Sequence, residues 1–173
     1  MFEIETERLL LRKLLPKDKN DLFEILSDEQ TCLDDGGFHA FQVQDEAFYA
    51  LFAQMQGQRR YAIELKDTHK LIGLIHLQDE ERAIPAYELG FVLNPKFRRK
   101  GYAFEAISSL IAAWFEQTDV QMFTASHFPH NEASKRLIQK LGFTYEGTER
   151  KAMTHAAYGP IDLVCYYKEK EEQ

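Results

Sequence analysis

The sequence predicts an α+β (α/β) domain built on one central, mixed sheet with helices on its faces. Three observations lead there. Apolar runs of strand length recur at Glu7–Leu14, Arg60–Leu65, Leu71–Leu77, Tyr87–Leu93, Gln121–Ser126, Phe143–Glu149 and Ile161–Lys168. The second and third are joined by the short polar turn Lys66–Lys70, as antiparallel neighbours are. From Tyr87 onward strands alternate with helical segments, as in a crossover connection. No linker, repeat or low-complexity tract interrupts residues 1–173, so one domain is expected.

The elements follow in order. After the strand Glu7–Leu14, Pro16 suits the first turn of a helix running to Ser27, with Leu22, Phe23, Ile25 and Leu26 apolar. Glu29–Phe41 contains Gly36-Gly37 and lacks a clear period, which predicts a loop. Val43, Ala47, Phe48, Leu51, Phe52 and Met55 are spaced for a helix that Gly57 ends. The helix after Gly101 carries Ala106, Ile107, Leu110, Ile111 and Trp114 on one side. Asn131 caps the last helix and Gly142 closes it. Two strands then flank the loop Arg150–Pro160, and the charged end Lys168–Gln173 is expected to fray.

Composition bounds the function. With 173 residues, 45% apolar and 28% charged, the chain has an ordinary globular make-up. A net charge of −7 argues against nucleic acid as a partner. No run is apolar enough to span a bilayer and the acidic start Met1–Glu5 is no secretory signal, so a cytoplasmic protein without a membrane partner is expected. Cys32 and Cys165 fit no metal spacing and read as reduced thiols. His127 and His130 have no carboxylate or cysteine nearby to complete a ligand set, so they read as loop histidines and no metal is expected.

The segment Tyr87–Phe104 carries the chemistry. An apolar strand ends at Asn94-Pro95, and the basic loop Arg98-Arg99-Lys100-Gly101 opens directly into a helix. First-turn N–H groups of a helix lack intrahelical partners and sit at the positive end of its dipole. Gly101 lets backbone approach an anion that a side chain would obstruct, and small Ala103 helps. A phosphorylated small molecule is the ligand this predicts. Neither a Walker loop nor Gly-x-Gly-x-x-Gly is present.

Three motifs in this order resemble one family. Arg98-x-x-Gly101-x-Ala103 after Leu93-Asn94-Pro95 is similar to the acyl-CoA pyrophosphate loop of GNAT N-acetyltransferases. Asn131-x-x-Ser134 followed by Leu141-Gly142-Phe143 resembles the second half of that fold, and Glu5–Arg12 the opening of its Rim-type branch, the ribosomal-protein N-terminal acetyltransferases. The resemblance runs from Thr6 to about Tyr167. It implies a mostly antiparallel sheet of six to seven strands with four helices, splayed between the Tyr87 and Gln121 strands to admit acetyl-CoA. Main-chain groups of Phe91, Val92 and Leu93 would pair with the pantetheine arm. The loop Arg98, Arg99, Lys100, Gly101, Tyr102, Ala103 and Phe104 would hold the pyrophosphate. An N–H near Phe91 would polarise the thioester oxygen, where negative charge grows as an amine attacks.

Glu88 has the parity opposite to Tyr87, Leu89 and Phe91 and could accept the proton of an attacking ammonium; a solvated or ion-paired carboxylate is the alternative. Asn131 is at once a helix cap and, by resemblance, a cofactor contact. Ser134 could donate to the departing sulfur or be a small first-turn residue. The tyrosine that many relatives place four residues later is Ile138 here. No serine or cysteine nucleophile is evident, which agrees with direct transfer.

Glu29–Phe41 and Arg150–Pro160 are expected to frame the acceptor, the second bringing His155 and Tyr158. Glu29, Asp34, Asp35 and Glu88 favour a cationic amine. The acceptor is therefore expected to be a protein N-terminus or a small amine, and a homodimer is an open assembly. Two rivals remain: a GNAT-fold module that binds acyl-CoA without turnover, and a nucleotide-binding domain using the same basic loop.

Overall fold

In the computed structural model, which describes residues 2–57 and 59–171, one eight-stranded sheet carries helices on both faces. The chain opens with β1 (Ile4–Glu5) and β2 (Leu9–Lys13). The strand predicted over Glu7–Leu14 is thus shorter, with a separate edge pairing before it. Pro16 starts a 3-10 turn, Pro16–Asp18, and α1 follows at Lys19–Leu26. Asp18 does not simply open the helix. Its buried carboxylate holds the Arg12 guanidinium at 2.7 and 2.8 Å, and Glu64 takes the other edge.

Glu29–Phe41 is not a loop throughout, because α2 occupies Glu29–Gly36. Eight residues are too few to display a helical period, but both ends are capped. The Asp28 carboxylate accepts the N–H of Thr31, and Gly37 takes a left-handed φ of 70°. Such a cap contributes about 1 kcal/mol. Helix α3 (Glu46–Gln56) starts later than the Val43 spacing predicts, because Asp45 accepts the N–H of Phe48 and leaves Val43 exposed.

β3 (Arg60–Leu65), β4 (Lys70–Asp79) and β5 (Ala86–Leu93) form an antiparallel meander. Helix α4 (Tyr102–Gln117) crosses to β6 (Met122–His127), which lies parallel to β5. Helix α5 (Glu132–Lys140) leads to β7 (Thr144–His155) and β8 (Gly159–Glu169). The order is β1-β2-β3-β4-β5-β6-β8-β7. Five α-helices and eight strands among the described residues exceed the four and six to seven expected.

The predicted loop Arg150–Pro160 is mostly strand. β7 and β8 form a long hairpin whose register shifts between Glu149 and Met153. Its first half matches the strand expected over Phe143–Glu149, whereas Arg150–His155 is mostly exposed and shows no alternation of apolar residues. The C-terminal segment is held further than expected: Lys168 pairs with Phe123, and the N–H of Lys170 donates to Gln121. Glu172 and Gln173 lie outside the described residues.

Two cores flank the sheet. Helices α4 and α5 bury Ile107, Leu110, Trp114 and Ile138 against one face, while α1 and α3 bury Leu22, Ile25 and Phe48 against the other. Among the described residues no helix is long and apolar enough to cross a membrane.

Candidate active site

The site begins where two strands part. β5 and β6 pair only through Ala86–Met122, Tyr87–Phe123 and Glu88–Thr124. Beyond Glu88 each strand follows a different neighbour. β5 stays in unbroken register with β4 to Leu93, while β6 follows β8 to His127. The ladder fixes which backbone groups face the gap. The N–H of Glu80 donates to Ala86 and that of Asn94 to Ile72, so even-numbered β5 residues bond to β4. Antiparallel pairing alternates, so Leu89, Phe91 and Leu93 turn their N–H and C=O groups toward the gap, while Val92, expected to pair with the pantetheine arm, directs its backbone groups to Leu74 of β4. The Leu93 carbonyl accepts from Arg98 Nε at 3.2 Å.

At one end of the gap lies the start of α4. Arg99 and Gly101 both take left-handed φ values, 60° and 84°. Alternation of that kind turns successive N–H groups toward one point, which suits an anion. Tyr102, Ala103 and Phe104 add first-turn N–H groups at the head of a helix of 16 residues. Exposed Arg99 and Lys100 supply positive charge. Arg98 is placed differently from its neighbours: its guanidinium turns inward to Thr31 Oγ1 at 2.9 Å and Asp35 at 3.4 Å, tying the loop to α2. Sequence reading missed a further cation, Arg8. Its guanidinium lies 4.4 Å from the Tyr102 ring, binds Glu105 and donates to the Lys100 carbonyl. A Cβ at Gly101 would stand 3.3 Å from Arg8 Nη2.

At the other end, a cavity of about 300 Å³ brings together Glu88, Phe91, Asn131 and Ser134. Asp35, His76 and Ser126 join them. Ser126 Oγ donates to Glu88 at 3.3 Å. Burial, helped by the charge of Glu80, raises the pKa of Glu88. Burial pushes Asp35 up to about 7, against the lowering effect of Arg98. Burial, aided by the charge of Arg60, takes His76 down to about 4, so its imidazole is neutral at pH 7. All three groups are thus displaced by burial toward their uncharged forms. His76 could have been noticed as the one ring nitrogen donor in the apolar strand Leu71–Leu77; Arg8 needed the fold, while Asp35, expected near the acceptor from its charge, does line the cavity.

Asn131 is a clasp between helices. Its Oδ1 accepts the N–H of Ser134, while Nδ2 donates to the Asp34 carbonyl at 2.9 Å and lies 3.4 Å from Asp35. Ile138, at the familiar tyrosine position, is core. His127 is not in a loop: it ends β6, buried, with Nδ1 donating to Phe128 and Nε2 accepting from Tyr166. His155 donates through Nε2 to the Leu33 carbonyl, and the N–H of Ala156 donates to Gly37. These bonds hold the β7–β8 tip against α2, so the two segments expected to frame an acceptor meet. His130 and Tyr158 complete an aromatic cluster there. Glu29 is turned elsewhere, to His39 and the N–H of Ala40.

Glu88 also lines an outer groove with Glu80, Glu146 and Glu149, where Arg82 pairs with Glu146. Carboxylates outnumber cations in that groove, Glu80, Glu88, Glu146 and Glu149 against Arg82. Among the described residues, no group of three or more His, Cys, Asp or Glu side chains could hold a metal.

Comparison with known proteins agrees with this geometry. Residues 8–144 match the family model described as an acetyltransferase (GNAT) domain. The chain is 32% identical over 159 residues to the uncharacterized N-acetyltransferase YoaA of Bacillus subtilis (strain 168), covering 88% of this chain and 89% of that one. It is 26% identical over 132 residues to the [ribosomal protein uS5]-alanine N-acetyltransferase of Escherichia coli (strain K12), covering 72% and 62%. A GNAT-family acetyltransferase structure from Bacillus anthracis superposes with a TM-score of 0.87 at 28% identity, over 99% of this chain and 100% of that one. A forked sheet with an anion-binding helix start at one end and a carboxylate cavity at the other, matched by that family model over most of its length, makes this chain a member of the GNAT acetyltransferase family.

Proposed function

We propose that the protein transfers an acetyl group from acetyl-CoA to a primary amine, directly and within a ternary complex. The observation that carries this reading is the end of β5–β6 pairing at Glu88, which leaves the Phe91 N–H aimed into a gap between the basic loop and the cavity. The residues present fit the cofactor: the left-handed turns at Arg99 and Gly101 form a cradle of N–H groups, at a φ that disfavours any side chain at Gly101, with the Arg8 guanidinium beside it. Acetyl-CoA supplies an activated acetyl thioester.

The residues divide the work. First-turn N–H groups of α4 hold the diphosphate, with Arg99 and Lys100 adding charge. Gap-facing groups of Leu89 and Phe91 orient the arm, and the Phe91 N–H stabilises charge growing on the thioester oxygen. Glu88 takes the proton of the attacking ammonium, for which its raised pKa is suited. Ser134, in the cavity wall, hydrogen-bonds the departing sulfur. Asn131 acts through Asp34 and Ser134, keeping α2 and α5 at their spacing.

The acceptor class follows from charge. Glu88, Asp35 and the outer carboxylates favour an ammonium. A protein N-terminus is supported by the relative that acts on the alanine of ribosomal protein uS5; a small amine fits the same chemistry. One observation favours a second reading, a module that binds acyl-CoA without turnover: Ile138 is buried where many relatives place a tyrosine. A thiol-release assay with acetyl-CoA across amines and N-terminal peptides separates them. Amine-dependent release supports transfer; binding with no release for any acceptor overturns it.

A further inference from the structure

A second cavity, of about 480 Å³, opens off the first on the α1–α3 side of the sheet. The two share Asp35, Gly36, His76 and Phe91. The second is walled by Leu26, Phe38, Phe41, Leu51, Met55 and Val92. Nothing in the proposed chemistry uses this space. It is the right size for a side chain of a substrate rather than for solvent alone.

Its charged lining groups are Asp35 and Arg60. Asp35 stands at the junction, at the C-terminal end of α2, where the helix dipole also favours a cation. Its bonds to Arg98 and Asn131 are long, 3.4 Å each. The rest of the lining is mainly apolar. An ammonium is therefore favoured at the Asp35 end and an uncharged, apolar group beyond it. A molecule with one ammonium and an apolar tail satisfies both conditions, whereas a polyamine sets its second charge against apolar side chains.

We propose that this cavity is the acceptor specificity pocket, and that the acceptor is a primary monoamine with a branched aliphatic or aromatic group within a few bonds of its nitrogen. This rests on the acetyl-transfer reading above. The tail would displace water from the Phe38, Phe41, Leu51 and Met55 walls while the nitrogen stays between Asp35 and Glu88. The chemistry has two sources, a free amine or the first residue of a peptide.

The test uses the purified full chain with acetyl-CoA and measures thiol release. One arm compares 3-methylbutylamine and 2-phenylethylamine with ethanolamine and putrescine. The other compares peptides identical except for a first residue of Leu, Phe, Ala or Ser. The apolar acceptors of at least one arm should exceed their polar or small counterparts in kcat/KM by about tenfold or more. The arm that shows the preference identifies the source. Leu51→Trp, which fills the pocket, should erase the preference; should that variant fail to fold, Phe38→Ala, at a partly exposed wall, should reduce it. Equal rates for polar and apolar acceptors, or a preference untouched by both variants, overturns the proposal while leaving acetyl transfer intact. If acetyl-CoA binds and no acceptor releases thiol, the transfer reading fails instead. Calorimetry of the same amines with CoA-saturated protein then decides the pocket. Binding of the apolar amines with a negative heat-capacity change supports it, and no binding overturns it.

Discussion

The imidazole of His76 fills the space where a side chain at Gly90 would begin, across the β4–β5 pair. One residue from Gly90 is Phe91, whose N–H faces the gap; two residues away is Glu88, on the same face as His76. A glycine in the middle of a strand is otherwise unfavourable. Here it lets a neutral ring lie where the two cavities meet. Gly90→Ala must push His76 aside, at a cost of about 1–3 kcal/mol in overpacking. Turnover should fall about a hundredfold through misplaced groups, with acetyl-CoA affinity, measured by calorimetry, little changed.

Glu88→Gln keeps the shape and removes the proposed base. Turnover should drop by about 10²–10⁴-fold. In the parent protein kcat/KM should rise from acid toward neutral pH as Glu88 ionises, with a midpoint above the ordinary glutamate value because of burial and Glu80. That limb should vanish in the variant. A pH profile of kcat/KM checks it, and an unchanged limb removes Glu88 from the mechanism.

Gly101→Val probes the anion end. At φ 84° a β-branched residue is strained by about 1–3 kcal/mol. Its side chain also meets Arg8. Acetyl-CoA affinity should fall about tenfold or more, read by calorimetry. Equal affinity would detach the loop from cofactor binding.

Asp35 links pH to stability. Its carboxyl titrates near 7 in the folded protein against 3.8 ordinarily, because burial disfavours the charge. Between those values the unfolded chain has released a proton that the folded one retains. The contribution of this group is therefore most favourable below about pH 4 and declines until about pH 7, by at most about 1.4 kcal/mol per pH unit. Asp35→Asn lacks this loss. Its stability relative to the parent, from urea unfolding, should improve as pH rises from 4 to 7 and level off above.

Asp18→Ala tests the buried network below the sheet. Arg12 is buried between Asp18 and Glu64, and removing one partner leaves charge uncompensated. A loss of about 3–5 kcal/mol is expected, measured by urea unfolding, with acetyl-CoA affinity at saturating folded protein unaffected.

The chain by itself determined its class and its chemistry-bearing loop. Arg98–Phe104 and Tyr87–Leu93 are contiguous, so a strand, a turn and a helix start are visible as local pattern. The parity that puts Glu88 opposite Leu89 is equally local. Helix α2 escaped because its signals are caps, Asp28 and Gly37, not a period. The second half of β7, Arg150–His155, escaped because an exposed edge strand need not alternate. Only tertiary structure decided the rest. The fork arises because β5 and β6 obey different neighbours, a fact of pairing between residues 36 apart in the chain. The inward turn of Arg98, the stacking of Arg8 on Tyr102, and the meeting of Asp35 with His76 depend on the same long-range packing. Burial created by that packing is what shifts Asp35, His76 and Glu88 away from their ordinary titration, and no local pattern carries burial.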